Sequence, residues 1–94
     1  MYNHQKIKLA QQILRALNHK LRSELINYIE GNPRSTVTEI YTHFKIDQSV
    51  ASQHLSILRR INVVATERSG KEVKYSVNKP RLQHIESLAE EIIK

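Results

Sequence analysis

A mainly α fold with one β-hairpin, a winged helix-turn-helix of five helices with the wing between helices four and five, follows from three features of this 94-residue chain. Apolar residues recur at three- and four-residue steps in segments at both ends. Two short helical segments, each with a start signal, follow one another across the tight turn at Lys45-Ile46. Beyond Asn62 the apolar period changes to two on either side of a glycine turn. Residues 1–94 are expected to form a single domain.

The first helix is expected over residues 2–17, where Ile7, Ala10, Ile13, Leu14 and Leu17 form one stripe. Asn18 is a suitable cap for a second helix, whose buried stripe is Leu21, Leu25, Ile26 and Ile29 and which Gly31-Asn32-Pro33 ends. Thr36 and Glu39 have the spacing of a capping box, so a brief third helix begins there and ends near Phe44. After the Lys45-Ile46 turn, Asp47 caps a fourth helix that reaches about Arg60. Residues 63–68 then pair with a strand on which Val73, Tyr75 and Val77 share one side and Glu72, Lys74 and Ser76 the other. Ser69-Gly70-Lys71 supplies the turn, with glycine free to take positive φ. Behind Asn78-Lys79-Pro80, Leu82, Ile85, Leu88, Ala89 and Ile92 define a fifth helix over residues 79–93.

Composition narrows the function classes. Fifteen Lys and Arg against nine Asp and Glu leave a formal charge of +6, a balance that favours a polyanionic partner such as double-stranded DNA. The chain has no cysteine, which excludes disulfides, thiolate metal sites and thiol redox switches. Residues 1–8 lack the apolar core of a signal peptide, and no apolar run approaches the ~18 residues of a membrane span. A cytoplasmic protein without membrane association is expected. With 39% hydrophobic residues, one Phe and no Trp, the core is mainly aliphatic, and so small a domain gains from a second copy.

On the fourth helix Val50, Ala51, Leu55 and Leu58 share one face, and Ser49, Ser52, Gln53, Ser56, Arg59 and Arg60 the other. A helix in the major groove needs short hydroxyl and amide side chains near its N-terminal half to reach base edges, with cations farther along to hold phosphates. Gln48, Ser49, Ser52 and Gln53 are therefore the candidates for base contact, and Arg59 and Arg60 for phosphate. His54 lies beside the apolar face, where donating to a phosphate and tying two helices together are both open to it. Arg68 and Lys71 flank the hairpin tip and Lys74 lies on its polar side, so the wing can reach the backbone or an adjacent minor groove.

Other chemistry finds little support. No Gly-rich phosphate loop is present and no motif pairs a nucleophile with a base, so neither an enzyme nor a bound cofactor is expected. The five histidines, His4, His19, His43, His54 and His84, are scattered, and none has a second histidine at the i+4 spacing of a helical zinc pair. A site assembled between helices or chains, from His4 and His84 for instance, is the alternative that the spacing leaves open.

Four stretches carry a family likeness: Ala16 to Arg22, Thr38-Glu39-Ile40, Asp47 to Leu55 and Leu58 to Val64, continuing through Gly70-Lys71 and Tyr75-Ser76-Val77. In these the chain resembles the ArsR/SmtB family of winged-helix repressors. The resemblance implies a homodimer built on the first and last helices, each subunit offering its fourth helix to one half of an inverted-repeat operator. The sensing residues depart from the family. Where its soft-metal sensors carry a cysteine pair, this chain has Ser35-Thr36-Val37-Thr38. The positions that open the zinc sites of the last helix are Lys79 and Arg81, cations that would repel Zn²⁺, and a later ligand position is Ile92. The expectation is a dimeric transcriptional regulator, a repressor, with no identified signal. A winged-helix protein-interaction module and a histidine-based metal sensor are the alternatives.

Overall fold

The computed structural model of the chain describes residues 4–93, with side chains over 8–91 apart from 89. Tyr2, as the expected start of the first helix, and the side chains of His4, Ile7, Ala89 and Ile92 lie outside the described residues. The elements are α1 (His4–Leu17), α2 (Lys20–Gly31), β1 (Ser35–Thr36), α3 (Val37–Phe44), α4 (Gln48–Arg60), β2 (Val64–Ser69), β3 (Glu72–Val77) and α5 (Lys79–Ile93).

The expected fold is observed, with one strand more. Residues 35 and 36 form β1 and pair antiparallel with β3, Ser35 opposite Tyr75 and Thr36 opposite Lys74, giving a three-stranded sheet of order β1-β3-β2. Two residues carry no period, which is why this strand leaves no pattern in the sequence. Both are buried, and the Ser35 hydroxyl donates to the Asn32 carbonyl. Thr36 closes the strand and opens α3. Its hydroxyl accepts from the Glu39 amide at 3.2 Å while the Glu39 carboxylate accepts from the Thr36 amide at 3.2 Å, the capping box read from the spacing. The Thr36 amide, then its hydroxyl, hold the Glu39 carboxyl below the usual carboxylate range.

Two boundaries differ from expectation. The residue that caps α2 is His19 rather than Asn18. Asn18 still donates its amide to the Leu14 carbonyl and so belongs to the last turn of α1, while the His19 carbonyl accepts the first α2 bond from Ser23. At the hairpin, Ser69 pairs with Glu72, so the loop is the two residues Gly70-Lys71 rather than three. Gly70 has φ +64°, the positive value that a two-residue hairpin loop asks of a glycine.

The core lies where α2, α3, α4 and the base of the wing meet. Leu25, Ile29, Ile40, Leu55, Leu58, Val63 and Val64 are all at most 2% exposed, and Ile13 of α1 and Ile85 of α5 join them. The molecule is elongated, 45 × 23 × 21 Å, with a radius of gyration of 14.2 Å. A compact domain of this length would have about 12.4 Å.

Candidate nucleic-acid interface

The sequence sets α4 at a fixed angle by closing both of its ends. Before it, Lys45 takes the left-handed conformation at φ 55°, and the amides of Lys45 and Ile46 donate to the Thr42 and Tyr41 carbonyls, ending α3 in one tight turn. Asp47 then caps α4 through its backbone carbonyl, which accepts from Ala51 at 3.1 Å, without a side-chain cap bond. Beyond Arg60, Asn62 is left-handed at φ 66°, its amide donates to the Arg59 carbonyl and that of Val63 to the Leu58 carbonyl. This is a Schellman closure with its expected apolar pair, since Leu58 and Val63 are both fully buried.

Between these closures one face of α4 is buried at Ala51, Leu55 and Leu58, and the other is presented to solvent. Ser49, Gln53, Ser56 and Arg60 recur at steps of four, three and four along the exposed face. Gln48 and Arg59 are also exposed, whereas Ser52 is half-buried at the edge of the stripe. The N-terminal half of this face thus carries hydroxyls and amides, and its last turn carries two guanidinium groups.

His54 occupies the opposite edge of the helix and is half-buried. Its Nδ1 accepts from the Arg22 Nε at 3.1 Å, and the same guanidinium reaches the Ala16 carbonyl at 3.3 Å. The His19 ring lies 5.0 Å away, centroid to centroid. Burial, then the Arg22 charge, then His19 push its pKa below the ordinary value. Of the two roles open to His54, the geometry supplies the tie between α4 and the α1–α2 corner. A neutral ring accepting at Nδ1 carries its proton on Nε2, which leaves one donor.

The wing projects beyond the core. Arg68 and Lys71 are exposed at its tip and Val73 is 39% exposed beside them. Lys74 sits mid-sheet on the central strand, its side chain only 22% exposed and its Nζ 3.8 Å from Glu72. The three wing cations are therefore not equivalent: two reach outward and one is held along the sheet. Midway along the wing, Glu67 of β2 accepts from Arg34, which stands at φ 65° just before β1, at 3.2 Å.

At the start of α5, the Asn78 side chain accepts from the Arg81 amide at 3.3 Å, and the Arg81 Nε donates to the Ile61 carbonyl at 3.0 Å. Lys79 is exposed. Among the described residues no three His, Cys, Asp or Glu side chains converge as a metal site. His84 is exposed on α5, and the side chain of His4 lies outside the described residues.

Three residues of this neighbourhood were not singled out from the sequence: Arg22, Arg34 and, as a tether, Arg81. Each acts across 20 or more positions, on His54, Glu67 and Ile61. Single-residue contacts at that separation leave no periodic trace.

The family profile described as bacterial regulatory protein, arsR family, matches residues 19–66. These run from the cap of α2 through the helix-turn-helix into β2. The transcriptional repressor PagR of Bacillus anthracis is 32% identical over 79% of this chain and 74% of its own length. The HTH-type transcriptional repressor SmtB of Mycobacterium tuberculosis is 37% identical over 81% of this chain, which spans 56% of that protein. In three dimensions the chain superposes on the crystal structure of PagR with a TM-score of 0.72 and 29% identity, covering 93% of this chain and 99% of PagR. An ArsR-like regulator from Rhodococcus shares the fold at a TM-score of 0.79 and 17% identity, covering 93% of this chain and 81% of that one. Among the described residues no helix is long and apolar enough to cross a membrane. By profile, by relatives and by fold together, the chain belongs to the arsR family of bacterial regulatory proteins, winged helix-turn-helix transcriptional regulators rather than enzymes.

Proposed function

We propose that this protein is a cytoplasmic homodimeric repressor that reads an inverted-repeat operator, placing α4 of each subunit in the major groove of one half-site. The observation that carries this reading is the two-faced build of α4. Its inner face is anchored by Ala51, Leu55 and Leu58, none more than 1% exposed, so its outer face is a rigid display rather than a mobile one. On that face Gln48, Ser49, Ser52 and Gln53 contact base edges, where Gln suits adenine and Ser donates or accepts. Ser56, Arg59 and Arg60 serve the phosphates in this reading, and the remaining Nε2 donor of His54 is assigned to the same backbone. Arg68 and Lys71 extend contact to the backbone beside the half-site, with Lys74 in a supporting position.

The dimer in this reading uses α1 and α5, though less of their apolar stripes than periodicity alone suggests. Ile13, Ala16 and Ile85 already face the chain's own core. Among the described residues, the large apolar side chain that α1 leaves for a partner is Leu9, 56% exposed, in an elongated molecule. The inducing signal, whether a small molecule or a protein, is left unassigned.

Selection from randomised double-stranded DNA at near-physiological salt, with zinc and with a chelator, tests the reading. An enriched inverted repeat is expected, and recovery of no motif by folded protein would sink it. Within the selected motif, Gln53→Ala should relax one position by about 1–3 kcal/mol, whereas Lys71→Ala should weaken all sequences alike. An unchanged motif in the first variant would remove Gln53 from the reading set.

A further inference from the structure

We infer that Arg81 is a positioning residue for DNA recognition, a tether that fixes the pose of the recognition helix on the last helix. The inference rests on the reading of α4 and α5 as the DNA and dimer helices. Its observation is independent of that reading. Arg81 stands in the first turn of α5, and its guanidinium donates at 3.0 Å to the carbonyl of Ile61, the residue that ends α4.

Three features make this more than a surface contact. The Ile61 carbonyl lies just outside the Schellman bonds of Asn62 and Val63, which use the Arg59 and Leu58 carbonyls. It is one of the helix-end acceptors that need a partner from elsewhere. The charge also suits the place, because the C-terminus of α4 carries the negative end of its dipole and a cation there is stabilised. Finally, Arg81 is itself held. Its amide donates to the Asn78 side chain, and the Asn78 amide donates to the Val63 carbonyl at 2.8 Å, so the residue that precedes α5 is itself fixed to the segment that follows α4.

The consequence is geometric. In a two-fold dimer through α5, the separation and tilt of the two recognition helices depend on how each α4 is fixed to its own α5, and half-site spacing follows from that separation. Arg81 therefore acts on spacing and affinity without touching a base.

The chain has no cysteine, so nitroxides placed at Gln53→Cys and Gln83→Cys mark α4 and α5 uniquely. Dilution with unlabelled protein reads the distance within one chain whatever its oligomeric state. A narrow distribution is expected with Arg81 and a broader or displaced one in Arg81→Ala. Arg81→Gln serves as the second variant if the alanine protein does not fold by circular dichroism. In unlabelled protein, either variant should select the same half-site bases with looser spacing, and bind the best operator about tenfold more weakly, the scale of one lost charged hydrogen bond. If the distance distribution is unchanged, the tether is refuted even if affinity falls. A broadened distance with unchanged spacing and affinity refutes its role in recognition. Should the unaltered protein select no motif, the DNA reading fails, while the distance measurement still decides whether Arg81 holds α4 to α5.

Discussion

The helix-turn-helix covers its apolar side chains within one chain, whereas α1 leaves one of its own in the open. Three of the four boundaries of α3 and α4 have a local solution: a capping box at Thr36 and Glu39, a left-handed closure at Lys45 and a Schellman closure at Asn62. Their inward side chains, Ile40, Leu55 and Leu58, reach 0–1% exposure with no second molecule present. In α1, by contrast, Ile13 and Ala16 are covered while Leu9 on the same helix stays 56% exposed. The difference separates two tasks. Under the proposed function, α4 must hold one shape before it meets DNA, whereas a helix that associates must keep apolar surface in reserve.

The sharpest way to break that contrast is a cavity in the self-contained half. Leu55→Ala removes a side chain 1% exposed between α4 and its neighbours, and should destabilise the protein by about 2–5 kcal/mol. Urea denaturation at one fixed protein concentration reads the loss, since association adds to apparent stability. A cost below about 1 kcal/mol, the range of tolerated core changes, would mean that α4 sits loosely on its neighbours.

Leu9→Glu probes the other half. Burial of a leucine against a partner contributes about 1.5–3 kcal/mol per subunit, so the variant should shift sedimentation from dimer toward monomer at micromolar protein. Far-ultraviolet circular dichroism of the monomer should remain helical, because Leu9 is 56% exposed and lies outside the buried core cluster. Undiminished dimerisation would move the association surface away from this part of α1.

These two halves were unequally legible in the sequence. Thr36 and Glu39 sit three apart and Val73, Tyr75 and Val77 alternate, so the cap, the wing and the exposed face of α4 could all be found by local spacing. The two-residue strand β1 exists only by pairing with residues nearly forty positions away, and nothing local announces it. The same holds for Arg22 on His54 and Arg81 on Ile61. Periodicity also marked Ile13 and Ile85 as apolar without saying whether they face the chain's own core or a partner. That distinction depends on how helices far apart in sequence come together.

A smaller effect tests whether local closure is as important as the contrast suggests. Thr36→Ala removes the hydroxyl that accepts from the Glu39 amide, and should cost about 1 kcal/mol, within the 0.5–2 kcal/mol of lost helix caps. Thr36→Ser keeps the acceptor and should recover most of it. Equal stabilities of the two variants would show that pairing with β3, not the cap, sets the start of α3.

The smallest effect is expected at the seam between the two halves, where His54 of the reading helix meets Arg22 and His19 beside the α1–α2 corner. The ring is held neutral below its ordinary value near 6.5 by burial first, then by the Arg22 charge and His19. Because the folded-state pKa is depressed, folding favours the neutral ring. That contribution is complete above about pH 6.5 and is lost as pH falls through the folded value. Protonation also fills Nδ1, the atom that accepts from Arg22. Solvent screens this half-buried group, so the effect should be modest. His54→Asn retains an acceptor oxygen for Arg22 and removes the titration. Urea midpoints at pH 7.5 and 5.5 should therefore fall further for the unaltered protein than for this variant, the comparison cancelling groups common to both. Parallel loss in the two proteins would mean that the seam is not poised by His54, and that the reading helix rests on its apolar face alone.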